Sequence, residues 1–241
     1  MLTERKLHHK VSKLHPAVAA VWAAAIAAGH LLPTFPIYGT GGTFSVSSIL
    51  NPLSGIIFGP FGGAFCSAIG GFIGNLIAPH TAWMGLGTFV IGTTTAFTTG
   101  CVATKKWPLA IIVYIIGTIL WFTQETGRQA YFYPIVFYGL GLIALAVRVI
   151  FIRKKRTFKM ETWKFPAIWL SSFSGLIGGA VLGNFFSLVL FKQPKEIWVF
   201  LTVASPIERA LFAAGAVLVG VPLLLGIRKI GIRTGAGLGG D

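Results

Sequence analysis

The sequence predicts an all-α, polytopic membrane helix bundle of about eight transmembrane segments. Hydrophobic residues make up 54% of the 241-residue chain and charged residues only 11%. Mean hydropathy is +0.78, well above that of a soluble globular chain. Apolar stretches of roughly 17 residues or more recur, each long enough to cross a bilayer core as a helix. The basic residues fall between these stretches, in four clusters: Arg5, Lys6, Lys10 and Lys13; Lys105 and Lys106; Arg153, Lys154, Lys155, Arg156, Lys159 and Lys164; Arg228, Lys229 and Arg233.

Segment one runs from Pro16 to Leu32. The stretch LLPTFPIYGTGGT follows, too rich in Pro and Gly to be helical. Segment two, FSVSSILNPLSGIIFG, is short. Pro60 opens segment three, PFGGAFCSAIGGFIGNLIA. Segment four is MGLGTFVIGTTTAFTTGCVA, ending at Lys105 and Lys106. Segment five, WPLAIIVYIIGTILWF, leads to the polar loop TQETGRQ. Segment six, AYFYPIVFYGLGLIALAVRVIFI, ends at RKKR. Segment seven is FPAIWLSSFSGLIGGAVLGNFFSLVLF, and segment eight is SPIERALFAAGAVLVGVPLLLGI. At its start Ser205 reads as a cap, Pro206 as a first-turn residue and Glu208 as the closing member of a capping box. The alternative is that Glu208 is a partly buried acid facing a cavity with Arg209 as its partner, since intramembrane charges often mark a pathway.

The whole chain, 1–241, reads as one integral membrane domain in the cell membrane. Eight crossings with a cytoplasmic N-terminus put both termini and all four basic clusters in the cytoplasm. The opposite loops hold only Arg128, Lys192 and Lys195. That asymmetry follows the positive-inside rule. It also explains the net charge of +14 without nucleic acid, so no nucleic-acid partner is expected. Residues 1–30 have the basic start and apolar core of a signal peptide, but the orientation count works only if they are retained. Cys66 and Cys101 are isolated in apolar segments and read as buried, inert thiols.

Glycines recur four residues apart: Gly55, Gly59 and Gly63; Gly70 and Gly74; Gly175, Gly179 and Gly183. Such rows let helix backbones approach closely in lipid. IGGFIGN at 69–75 faintly echoes IGGAVLGN at 177–184, a weak sign of an internal repeat. Segment one has an alanine counterpart. Ala19, Ala23 and Ala27 form one row, and Ala20, Ala24 and Ala28 a second about 100° away. Together they make a flat face opposite Val18, Val21, Trp22 and Ile26. That face either packs inside the protein or docks to another subunit.

With these residues in view, the chain resembles the membrane-embedded S subunit of energy-coupling factor (ECF) transporters. The resemblance lies in the AxxxA first helix, in FSVSSILNPLSGIIFGPFGGAFCSAIGGFIGNLIAP after a Gly/Pro-rich loop, and in the closing SPIERALFAAGAVLVGVPLLLGIRKI. It covers segments one to four, seven and eight, about two thirds of the chain. The family usually has six helices, so residues 107–153 would be an inserted hairpin. The resemblance implies a substrate-capture subunit that docks through its alanine face to a transmembrane coupling subunit. Two ATP-binding subunits complete such a transporter, which fits the lack of a GxxxxGK[ST] phosphate loop here. In the family the S subunit topples in the membrane to carry its substrate inward.

The resemblance also implies a small-molecule site near the outer face, beneath the first loop and between the later helices. Candidates there are Tyr38, Thr40, His80, Trp83, Gln124, Glu125, Arg128, Gln129 and Asn184. Each has a plainer reading. Tyr and Trp near segment ends anchor helices at the interface, and His80 can simply be solvated. Asn75 and Asn184 can bond neighbouring backbones, and Glu125 with Arg128 can form an exposed pair of little worth. Aromatics among mixed charges suit a flat, vitamin-like molecule better than a metal ion. Neither a metal nor a cofactor is expected, although His30 and His80 keep a metal in view. No HExxH or paired-carboxylate motif points to an enzyme. A self-sufficient secondary transporter or channel is the remaining alternative.

Overall fold

The computed structural model describes residues 16–153 and 164–229. The basic residues Arg5, Lys6, Lys10, Lys13, Lys154, Lys155, Arg156, Lys159 and Arg233 lie outside them. The described chain is an all-α bundle of eight helices: α1 (Pro16–His30), α2 (Ser47–Ile77), α3 (Phe89–Ala103), α4 (Trp107–Thr123), α5 (Glu125–Gln129), α6 (Phe132–Arg153), α7 (Lys164–Phe191) and α8 (Lys195–Lys229). A two-stranded antiparallel hairpin, β1 (Pro33–Pro36) and β2 (Thr43–Ser45), joins α1 to α2. Among the described residues five spans are long and apolar enough to cross a membrane, and α1 and α4 are shorter apolar helices.

The longest-looking surprise is α2, which is two limbs rather than one rod. Gly59 has φ +76° and ψ −178°, outside helical geometry. In a straight helix Asn51 and Ser67 would stand roughly 24 Å apart, yet Ser67 Oγ donates to Asn51 Oδ1 at 2.6 Å. A Cβ on Gly63 would meet Gly55 Cα at 2.6 Å, and one on Gly100 would meet Pro60 Cα at 2.6 Å. The chain therefore reverses at Gly59-Pro60, and α3 closes over the turn. The positive φ suits Gly, and Pro60 opens the returning limb in the manner of a first-turn proline. Segments two and three are these two limbs. The glycine row expected along one face, Gly55–Gly59–Gly63, is instead a contact between opposed limbs, because the chain turns in the middle of it. The first limb, about 12 residues or 18 Å, is buried from Asn51 to Pro60. A short limb with an irregular turn is tolerated at this depth because protein, not lipid, surrounds it.

Counting both limbs, the bundle presents eight apolar segments in the order the sequence predicts. α7 is its most enclosed long span. It packs against α3, α4, α6 and α8. Gly175 and Gly179 of α7 meet Thr99 and Thr95 of α3, and the Tyr114 hydroxyl of α4 donates to the Ser174 carbonyl at 2.7 Å. Gly70 and Gly74 of α2 meet α1 at Ala23, Ile26 and His30. Large apolar side chains such as Val21, Phe61, Ile119, Ile135 and Leu218 are exposed on the outside of the bundle, as a bilayer solvent allows.

Two boundaries differ from expectation. α3 begins at Phe89, because Met84–Leu86 is extended and the Thr88 hydroxyl accepts the Met84 N–H. α8 does not start at Ser205: it runs unbroken from Lys195, so the capping-box reading fails. Pro206 sits inside the helix. Neighbouring helices support such prolines in membrane proteins, where unravelling would expose backbone groups to lipid.

The 107–153 segment contributes to the core of the bundle. Trp121 of α4 stacks on Tyr133 of α6 with centroids 5.1 Å apart, and both meet Trp198 of α8 edge-on at 4.7 and 5.0 Å. The Trp121 indole N–H donates to the Gly127 carbonyl at 2.7 Å, fixing the short α5 against α4.

Candidate ligand-binding cavity

A cavity opens into the end of the bundle that carries the β1–β2 hairpin. Its volume is about 120 Å³, room for roughly four waters at their share of liquid volume. Its walls come from residues 37–48, both limbs of α2, the start of α3, the later half of α7 and α8.

The hairpin is tied down by Gln193. This residue follows Lys192, whose φ of +47° ends α7. Gln193 Nε2 donates to the Tyr38 carbonyl at 3.2 Å, and its Oε1 accepts the Ser187 hydroxyl at 3.0 Å. Aromatic contacts add to this fastening. Tyr38 meets Phe200 at 4.9 Å, Phe35 and Phe44 each meet Phe212 at 5.6 Å, and Trp83 meets Phe191 at 5.7 Å. The first three of these pairs meet edge-on, and such pairs add stability beyond their buried area.

Polar groups converge inside. His30 at the end of α1 bonds the Ile26 carbonyl through Nδ1 at 2.9 Å and lies 3.4 Å from Ser47 Oγ, which shares a 2.7 Å hydrogen bond with Ser45 Oγ. Asn184 Nδ2 donates to the Tyr133 hydroxyl at 3.2 Å and lies 3.4 Å from the Tyr138 hydroxyl. Its carboxamide oxygen remains an acceptor for whatever occupies the cavity. Glu208 and Arg209 complete the lining from α8. The Arg209 guanidinium lies over the Phe44 ring, 4.5 Å from its centroid.

Three of the expected site residues line this cavity: Tyr38, Trp83 and Asn184. The others do not. Thr40 caps its own turn, its hydroxyl donating to the Ile37 carbonyl and accepting the Gly42 N–H. His80 is exposed, and its neighbour Thr81 faces the cavity instead. Gln124 bonds Thr123, and Glu125 and Gln129 are exposed. Arg128 donates to the Phe122 and Thr123 carbonyls at 3.2 and 3.3 Å. It thus caps the end of α4, a favourable place for a cation, rather than pairing with Glu125. Among the described residues no group of three or more His, Cys, Asp or Glu side chains could hold a metal ion.

The alanine face is split. Ala19, Ala23 and Ala27 are buried against α2, while Ala20, Ala24 and Ala28 are exposed. The two rows are not one docking surface, because the second limb of α2 already covers the first. Periodicity located both rows but carried no information about which neighbour each meets.

Phe44, Asn51, Gln193 and Trp198 line the cavity without having been singled out in the sequence. The signal for Phe44 was its place directly after the Gly-rich loop, as the first residue of segment two. Gln193 had none beyond being an uncharged polar residue between two helices.

No family model matches the chain, and no solved structure matches it. The chain is 23% identical over 168 residues to an uncharacterized protein of Methanocaldococcus jannaschii. The match covers 68% of this chain and 55% of that protein, so the chain spans about half the length of the relative it matches.

Proposed function

We propose that this chain is the substrate-capture subunit of an ATP-driven importer of the ECF type, taking up a small vitamin-like molecule. The observation that carries the reading is the cavity fastened beneath the β1–β2 hairpin, at the opposite end of the bundle from Lys105 and Lys106. With the basic end in the cytoplasm, this cavity faces outside, where an importer first meets its substrate. Both termini are then cytoplasmic and the bundle sits in the cell membrane. Mixed aromatic and polar walls suit a compact organic solute.

The remaining exposed row, Ala20, Ala24 and Ala28, is the docking face for the transmembrane coupling subunit. Two ATP-binding subunits supply the energy. Trp83 and Asn184 hold the substrate, and the chain itself carries no enzymatic step. The test is whether the coupling and ATP-binding subunits co-purify with it. Ion-gradient-driven uptake by liposomes containing this chain alone would favour a self-sufficient transporter instead.

A further inference from the structure

We infer that the molecule held in this cavity carries a carboxylate, and that Arg209 binds it. This rests on reading the cavity as a substrate site. Arg209 lies on α8 roughly 20 Å along the axis from Lys195. Its Nε is buried and has no hydrogen-bond partner. The Phe44 ring lies over the guanidinium, 4.5 Å from its carbon, but a ring face attracts a cation without satisfying its five N–H donors. A charge inside a membrane bundle is expensive and is ordinarily paired.

Among the described residues no salt bridge joins Arg209 to Glu208, although the two adjacent charges attract each other. Successive helical residues point about 100° apart, and both Glu208 and Arg209 line the cavity. The cavity therefore offers a planar cation whose buried Nε lacks a hydrogen-bond partner. The lining also holds two acceptors, the Glu208 carboxylate and the Asn184 carboxamide oxygen. A carboxylate matches a guanidinium fork in plane and spacing. A nitrogen-bound hydrogen on the same ligand suits the acceptors. Phe44, Trp83, Phe89 and Trp198 around the space suit a ring between these two groups. The ligand class is a small aromatic or heterocyclic acid with a hydrogen-donating nitrogen.

The test uses the full chain in mild detergent and four matched indoles: indole-3-acetate, tryptophan, indole-3-acetamide and tryptamine. Calorimetry reads their affinities. The two carboxylates bind about tenfold or more tighter than the amide and the amine, as a charge-assisted contact requires. R209Q removes that preference, and R209K retains part of it. Equal or tighter binding of the amide or amine overturns the assignment, as does failure of both acids to bind. The wild-type comparison decides the matter even if the variants do not fold. Acid preference without recovery of any coupling subunit leaves the carboxylate assignment standing and removes the importer reading. Recovery of the coupling subunit with a preference for the neutral probe does the reverse.

Discussion

Ser67 donates a 2.6 Å hydrogen bond to the side chain of Asn51, sixteen positions earlier in the same apolar stretch. That bond ties the returning limb of α2 to the descending one, beside the cavity that Asn51 helps to line. A double-mutant cycle of N51A and S67A, followed by thermal unfolding in detergent, is expected to give a coupling of about 0.5–2 kcal/mol. Additive losses would mean that the two limbs do not depend on this bond.

The reversal itself depends on Gly59. Its φ of +76° with an extended ψ is a conformation that disfavours any side chain. G59A is expected to lower stability by roughly 1–3 kcal/mol. G139A in α6, where a Cβ meets nothing within 4 Å, is expected to be neutral or slightly stabilising, since Ala suits a helix better than Gly. Comparing the two melting temperatures separates a backbone demand from a general glycine effect.

The two alanine rows predict opposite outcomes for the same substitution. A23W drives an indole into the closely packed α1–α2 contact, where Gly70 lies against the Ala23 carbonyl, and should yield little folded protein. A24W points outward and should leave monodisperse protein of normal melting temperature, while removing the coupling subunit from the purified material. Retention of the coupling subunit by A24W would remove this row from the docking face.

Gln193 predicts a local effect. Q193A removes the bonds to the Tyr38 carbonyl and the Ser187 hydroxyl. Amide hydrogen exchange across residues 37–42 should quicken by roughly five- to tenfold, the equivalent of about 1 kcal/mol of lost closure. Exchange in α7 above Ser187 should hardly change. Unchanged exchange in the loop would mean that the aromatic contacts alone hold it.

Much of the fold was legible because lipid imposes a length on each apolar run. The eight segments, their order and the non-helical Pro/Gly loop follow from that constraint. The start of α8 was not legible. Ser205 and Pro206 carry the local signature of a helix beginning, but apolar residues before them and packing around them continue the helix. Local capping chemistry lost to the cost of an exposed backbone. The site was half legible for a related reason. Trp83 and Asn184 stand out as large or polar residues near segment ends, and both line the cavity. His80 and Arg128 look the same in sequence, yet one is solvated and the other caps α4. Side-chain chemistry names the candidates, whereas only tertiary packing tells which of them face a common space.

Affinity purification of the tagged chain from its native membranes, with mass spectrometry of what comes with it, tests the central claim most directly. The importer reading predicts a membrane coupling subunit and ATP-binding subunits in fixed ratio with the wild-type chain, and their loss with A24W. Recovery of the chain without them, under conditions that preserve a known transporter complex, would contradict it.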